Sequence, residues 1–414
     1  MTDTTRLNGY AIVAQSGGPT AAINATLSGV IRGAFDNYEY VRGIYGARYG
    51  ISGVINDDLV KITKLSDKEH FLLESTPSSA LGSCRLKLPD PDGDDVDIYE
   101  KIFSVFAKYN IRYFYYIGGN DSMDTVAKLS VYAQKIDYSI KLMGVPKTID
   151  NDLMGTDHTP GFGSAAKYVA TTMQEIARDC TVYTVKAVTI VEIMGRDAGW
   201  LTAAAGLPRL FGERTADLIY LPEVPFDADL FIEKIKELQK IRPDIVVAVS
   251  EGIKNANGKY VSEGTSSDAV DIFGHKYIAG AARALEQLVK EKIGCKVRAV
   301  ELNLPQRCAA HLQSQTDIDE SVLIGKKAVD YSLTAENMQG LLAVFRRLPD
   351  VNYQVKIQTA FVRDIANKVS SVPLKYIEKD GTNVTDELLE YILPLIQGEI
   401  NIPTENGLPV HFEF

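Results

Sequence analysis

Short apolar runs rich in Val, Ile and Tyr recur along the chain. YAIVA (10–14), RYFYYI (112–117), KLMGV (141–145), AVTIVEI (187–193), DIVVAVS (244–250) and VRAVEL (297–302) are mostly apolar on consecutive rather than alternate positions. That is the pattern of strands covered on both faces. Between them the apolar positions return every three or four residues, as on one face of a helix. Met123, Val126, Leu129 and Ala133 form one such set. Ala165, Tyr168, Val169, Met173 and Ile176 form a second, and Ile278, Ala282, Leu285 and Val289 a third. Ser122 and Ser164 stand where N-caps are expected. The alternation predicts an α/β fold with a mostly parallel sheet flanked by helices. Ligands of such sheets lie at the carboxyl ends of the strands.

The length of 414 residues points to two lobes or more. Residues 87–97 and 253–268 are polar and read as loops. Residues 346–414 carry no chemically suggestive cluster and read as a C-terminal extension packed on the lobes.

Composition narrows the function classes. Hydrophobic residues make up 45% and charged residues 24% of the chain, as in ordinary globular proteins. The net charge of −10 argues against nucleic-acid binding, while leaving room for a local basic site for a small anion. No apolar run approaches the ~18–20 residues of a membrane span. The N-terminus MTDTTRLNGY has neither the basic nor the apolar region of a signal peptide. The four cysteines lack CxxC spacing and the five histidines are dispersed, so no zinc site or disulfide framework is expected. The expected setting is cytoplasmic, without a membrane or nucleic-acid partner.

The candidate chemistry sits in loops that follow strands. AQSGGPTAAINATLSG (14–29) and IGGNDSMDT (117–125) each read as strand, Gly-Gly turn and helix start, a grammar that cradles anions. Neither is a GxGxxG or a P-loop signature. Asn120 and Asp121 follow the second pair, so a carboxylate stands where an anion is expected. VPKTIDNDLMGTDHTPGFG (145–163) places Lys147, Thr148, Asp150 and Asp152 in one loop. Two carboxylates two residues apart share a side of extended chain and fit a base plus a metal or orienting group. Lys147 supplies a cation for developing phosphate charge. VEIMGRDAGWL (191–201) puts Gly195 and Arg196 after a strand, and an Arg there suits phosphate. SEG (250–252) presents Glu251, and VRAVELNLPQR (297–307) presents Arg298 and Arg307. Trp200, the only tryptophan, is expected to be packing.

Taken together, SGGPTAAIN, LGSCR (81–85), IGGNDS, PKTIDND, VEIMGR, SEG and NLPQR, in that order from Gly17 to Arg307, resemble the 6-phosphofructokinase family. The resemblance implies two similar α/β lobes with the active site between them, and phosphoryl transfer to the 1-hydroxyl of fructose 6-phosphate. It implies a phosphoryl-donor lobe over 1–162, completed by a return segment near 307–345. The sugar-phosphate lobe would span 163–306 and the extension 346–414. By motif match Asp150 is the general base, flanked by Thr148 and Asp152, with Lys147 and Arg196 as further catalytic groups. Thr148, Ile149, Asp150, Met194, Gly195, Arg196 and Glu251 would line the sugar site, and Arg298 and Arg307 would hold the 6-phosphate. The residue matching Arg298 comes from a neighbouring subunit in the family, which implies a homodimer or higher homo-oligomer. Gly17, Gly18, Arg85, Gly119, Asp121 and Lys147 match the donor side, and Asn120 and Asp121 the Mg²⁺ site.

The same resemblance answers the puzzle of Asp121. ATP-dependent members carry GGDGS or GGDGT at this loop and Gly where Lys147 stands. Pyrophosphate-dependent members carry Asp and Lys, as here. The carboxylate would exclude a nucleotide's α-phosphate, and the lysine would serve a bare pyrophosphate. Two departures stand out. Asn120 replaces an Asp that contributes to Mg²⁺ binding, and LNLPQ replaces a segment with Gly and His or Tyr. The alternatives are an ATP-dependent phosphofructokinase, a kinase of another substrate such as NAD or a lipid, and a non-catalytic sugar-phosphate sensor.

Overall fold

The computed structural model describes residues 6–182, 184–263, 280–336, 338–349 and 352–414. Its strands form two main sheets. The larger contains β1 (Gly9–Gln15), β2 (Val41–Ala47), β3 (Leu59–Ile62), β4 (Ile111–Gly118) and β5 (Lys141–Pro146). The smaller contains β6 (Ala187–Ile193), β7 (Leu218–Tyr220), β8 (Asp244–Ser250) and β9 (Lys296–Glu301). The chain then returns to the larger sheet with β10 (Gly340–Arg347) and β11 (Val355–Phe361). The strand orders are β11-β10-β5-β4-β1-β2-β3 and β7-β8-β6-β9. Pairing is parallel except for β2 with β3 and β10 with β11.

The apolar runs of the inner strands are largely unbroken because helices cover both faces. Tyr113, Phe114, Tyr115 and Tyr116 on β4 are all buried. Three of their neighbours answer the hydroxyls, as buried tyrosines require. Tyr113 donates to the Leu7 carbonyl at 2.6 Å, Tyr115 meets Ser332 Oγ at 2.8 Å, and Tyr116 accepts from the Ile51 amide at 3.3 Å. Helix Gln315–Thr334 lies on helix Ile23–Asp36 with backbones in near contact. A Cβ on Gly29 would come within 2.1 Å of the Val322 carbonyl, and one on Gly325 within 2.3 Å of the Thr26 carbonyl. Only glycine permits that approach.

Two expectations need correction. Ser122 and Ser164 are not N-caps: helices Asn120–Lys135 and Phe162–Cys180 are capped at Gly119 and Gly161, and both serines lie in the first turn. The second helix borrows its cap from afar. Asp317 accepts from the Gly161 and Ser164 amides, both at 2.9 Å, a service no local residue reveals. The segment read as an extension contacts both sheets. β11 adds an edge strand to the larger sheet, whereas Leu388, Leu389 and Ile392 of helix Asp386–Ile392 are buried in the core beside the smaller one. Helix Ala281–Lys292 carries the expected Ala282, Leu285 and Val289. Ile278, and the end of the polar stretch 253–268, lie outside the described residues.

Candidate active site

The parallel registers bring the suspicious loops to common edges. Gln15 pairs with Ile117 and Gly118 with Pro146, so the loops opening at Ser16, Gly119 and Lys147 leave the larger sheet side by side. Ile193 pairs with Ser250 and Glu192 with Glu301, so Met194, Glu251 and Leu302 leave the smaller one together. The two edges face each other. Asp150 feels the charges of Arg196, Lys147 and Arg307, and Glu251 feels Asp150.

On the larger-sheet side Gly17 adopts φ +77°, its amide donating to the Cys84 carbonyl at 3.2 Å and its own carbonyl accepting from Ser83 Oγ at 2.6 Å. Residues 83–84 therefore fix the turn and set Arg85 beside it. Lys147 is 2% exposed, and its Nζ donates to the Gly18 carbonyl at 2.6 Å. Burial lowers its pKa to about 8, with Arg307 and Arg85 adding to the fall while Asp150 and Asp152 oppose it. A Cβ on Gly18 would sit 3.2 Å from the Arg307 guanidinium. Arg307 is itself depressed by burial and then by Arg85. Cations thus crowd a glycine turn, the setting for a small polyanion.

Asp150 is held by its neighbours. Its amide donates to Thr148 Oγ1 at 3.1 Å, while the Thr148 amide donates to the Pro160 carbonyl at 3.2 Å. Thr159 Oγ1 donates to the Thr148 carbonyl at 2.8 Å and closes the loop. Burial pushes the Asp150 carboxyl up, against the pull of Arg196, Lys147 and Arg307. Burial and then Asp150 push Asp152 up as well. A carboxylate so raised is a better proton acceptor than one in water.

On the smaller-sheet side the backbone turns sharply, with φ +147° at Gly195 and +46° at Arg196. Glu251 Oε1 accepts from both amides, at 3.3 and 3.2 Å. Gly252 is obligatory beneath them, since a Cβ there would fall 1.6 Å from the Arg196 carbonyl. Burial and then Asp150 raise Glu251 to about 8, so at neutral pH it is largely a protonated carboxyl that can also donate.

Some expected residues stand apart. The Ile149 side chain is buried in the core beside the smaller sheet, leaving only its backbone to line a site. Arg298 pairs in register with Thr189, roughly 13 Å back along the strand from Ile193. Its guanidinium lies 3.9 Å from Asp179, on the edge strand of the smaller sheet, and the chain does not bring it to Asp150. Sequence reasoning missed Gln306, whose Oε1 accepts from the Met194 amide at 3.1 Å. Trp200 packs against Tyr391 and donates to the Ser370 carbonyl at 2.8 Å.

A metal has limited protein ligation here. Among the described residues no three His, Cys, Asp or Glu side chains group to hold one. Asn120 Oδ1, however, is buried without a hydrogen-bond partner at the first position of helix Asn120–Lys135, and Asp121 follows it. An orphaned acceptor beside a carboxylate fits a hard cation that keeps waters and phosphate oxygens as its other ligands.

The phosphofructokinase family model matches residues 10–331, a span that holds every loop described above. The chain belongs to the phosphofructokinase family. It is 40% identical over 405 residues to the pyrophosphate–fructose 6-phosphate 1-phosphotransferase of Xanthomonas campestris, covering 97% of this chain and 95% of that protein. It is 38% identical over 403 residues to the protein of that name from Halomonas elongata, covering 96% and 94%. The crystal structure of the pyrophosphate-dependent phosphofructokinase of Nitrosospira multiformis superposes with a TM-score of 0.86 at 36% identity, covering 98% of this chain and 96% of that one. Two α/β lobes and a mostly parallel sheet in each are therefore this phosphofructokinase's architecture. No described helix is long and apolar enough to cross a membrane.

Proposed function

We propose that this phosphofructokinase transfers a phosphoryl group from pyrophosphate to the 1-hydroxyl of fructose 6-phosphate, giving fructose 1,6-bisphosphate and phosphate in a reversible, glycolytic reaction. The observation that carries the choice of donor is Lys147: a buried cation at the Gly18 turn, paired in sequence with Asp121 in the first turn of helix Asn120–Lys135. A helix start attracts anions, and a carboxylate fixed there competes with one of them. The nucleotide's α-phosphate is the group it turns away.

Asp150 accepts the hydroxyl proton as the sugar oxygen bonds to the terminal phosphorus. The bridging P–O bond breaks, and its electron pair leaves with phosphate. Lys147 steadies that leaving charge, Arg85 the donor, and Arg196 the transferring group. Asp152 keeps the loop polar beside the base. Glu251, Met194 and Gly195 orient the sugar, with Thr148 next to Asp150. Mg²⁺ would be held by Asn120 and Asp121 and would neutralise donor oxygens. The 6-phosphate falls to Arg307 and to Arg298 of the partner subunit, so the working form is a homo-oligomer. For Arg307 a second role, neutralising the donor, is supported by its closeness to Gly18. A cytoplasmic setting suits these substrates.

Reversal tests the reading. Fructose 1,6-bisphosphate with phosphate and Mg²⁺ should yield fructose 6-phosphate and pyrophosphate. A reaction that runs only forward, with no phosphate-dependent return, would contradict it.

A further inference from the structure

A group of buried titratable side chains that no step above uses sits behind the loop 147–160. Its centre is His158, 3% exposed and stacked on Phe345 with centroids 4.5 Å apart and planes 5° from parallel. Nδ1 lies 2.9 Å from Asp157 Oδ1, and Nε2 lies 2.7 Å from Glu320 Oε2 on helix 315–334. Neutral imidazole carries one N–H and could serve only one of these carboxylates; the imidazolium serves both.

The surrounding charges come from every element packed against the ring. Arg347 of β10 binds Asp157 at 3.1 Å, and Tyr353 donates to Glu320 Oε1 at 2.8 Å. Asp317 of helix 315–334 lies within electrostatic reach of His158. Tyr391 donates to the Asp157 carbonyl at 2.6 Å. The loop is also tied to strand and extension. The Asp157 amide donates to the Phe345 carbonyl at 3.0 Å, and the Ser370 amide to that of Asp152 at 2.8 Å.

From His158 the path to Asp150 is short. The next residue, Thr159, donates from Oγ1 to the Thr148 carbonyl at 2.8 Å and lies 3.4 Å from Asn151 Oδ1. It thus holds the Thr148 side of Asp150 by a hydrogen bond and packs against the Asn151 side. We propose that His158 is a positioning residue: clamped as an imidazolium between Asp157 and Glu320, it locks the return limb of the loop to helix 315–334 and so fixes the Asp150 carboxylate. The catalytic part of this inference rests on the reading of Asp150 above; the structural part does not.

Removing the imidazole alone strands the buried Glu320 charge and could unfold the chain. The test therefore uses His158→Gln with Glu320→Gln, which leaves two neutral amides able to bond each other. Misplacement of a reacting group by about 1 Å can cost ~10²-fold, so the expected result is kcat lower by about 10- to 100-fold. KM for both substrates should stay within about threefold of the wild type, because the arginines assigned to the phosphates (Arg85, Arg196 and Arg307) lie outside the loop 147–160. Amide exchange of residues 148–153 should accelerate by about tenfold or more while β4 stays protected. Unchanged kcat and loop exchange would overturn the proposal. So would exchange rising equally throughout the chain, the mark of a merely structural role. If the wild type itself fails to turn over, the functional reading falls, and the exchange measurement still decides the clamp.

Discussion

Lys147 and Gly18 meet across the end of β4. The lysine follows β5, the glycine follows β1, and the 2.6 Å bond from Nζ to the carbonyl spans the strand between them. One buried cation thereby joins the first glycine turn to the loop that carries Asp150. Its charge depends on pH near neutrality, which makes it open to experiment.

Lys147 at about 8 predicts an alkaline limb. The charged form prevails below that value and is lost as pH rises through it. kcat/KM for pyrophosphate should fall above about pH 8, since that ratio reports the free enzyme. Lys147→Arg should move the limb to higher pH, and Lys147→Met should lower the ratio by about 10²-fold or more and flatten the limb. A limb unmoved in Lys147→Arg would assign it elsewhere, with Glu251 the next group to test.

Asp150→Asn should lower kcat by about 10²–10⁴-fold. Fructose 6-phosphate affinity, measured by calorimetry, should change little because an amide fills the same space. Turnover near that of the wild type would remove Asp150 as the base.

Glu251 at about 8 is mostly protonated at pH 7, so Glu251→Gln mimics its resting state. KM for fructose 6-phosphate should rise by no more than about threefold at pH 7. Glu251→Ala should raise it by about 10-fold or more, because two amides and the sugar each lose a hydrogen-bond partner. Equal effects of the two substitutions would show that the carboxylate form binds the sugar.

Asp121→Gly combined with Lys147→Gly should open the site to ATP. Measurable ATP-driven turnover, with pyrophosphate activity reduced by about 10²-fold, is the expected exchange. Failure of ATP both to bind and to react would show that further residues bar the nucleotide.

His158 gives a stability prediction. Burial works against its charge, but Asp157 and Glu320 outweigh burial and hold it at about 9. A pKa raised on folding stabilises fully below the unfolded value of about 6.5, and that contribution is lost as pH rises through 9. Between pH 6.5 and 9.5 the wild-type Tm should therefore fall more steeply than that of the His158→Gln, Glu320→Gln protein. Parallel slopes would argue that the ring is neutral throughout.

Five of the six strands read from the sequence are inner strands covered by helices on both faces, which leaves largely unbroken apolar runs such as Tyr113–Tyr116; the sixth, β9, is an edge strand whose run is interrupted by Arg298 and Glu301. The loops at Gly17, Gly119, Lys147, Met194 and Glu251 are legible because they follow those runs. Less visible are β2 and β10: VRGIYGA is broken by Arg and Gly, and GLLAVFRR lies in a stretch with no chemistry to draw the eye. Asp317 as a helix cap, Gln306 under Met194 and Glu320 against His158 are invisible locally, since each partner lies more than a hundred residues away. The extension misleads for the same reason. Ser370 and Tyr391 matter through backbone and hydroxyl contacts to the catalytic loop, which no motif records.

The central claim is the identity of the donor. Initial rates of fructose 1,6-bisphosphate formation, from fructose 6-phosphate and Mg²⁺ with either pyrophosphate or ATP, test it most directly. Turnover with pyrophosphate and none with ATP is the result predicted by Asp121 and Lys147. Turnover with ATP alone would contradict it.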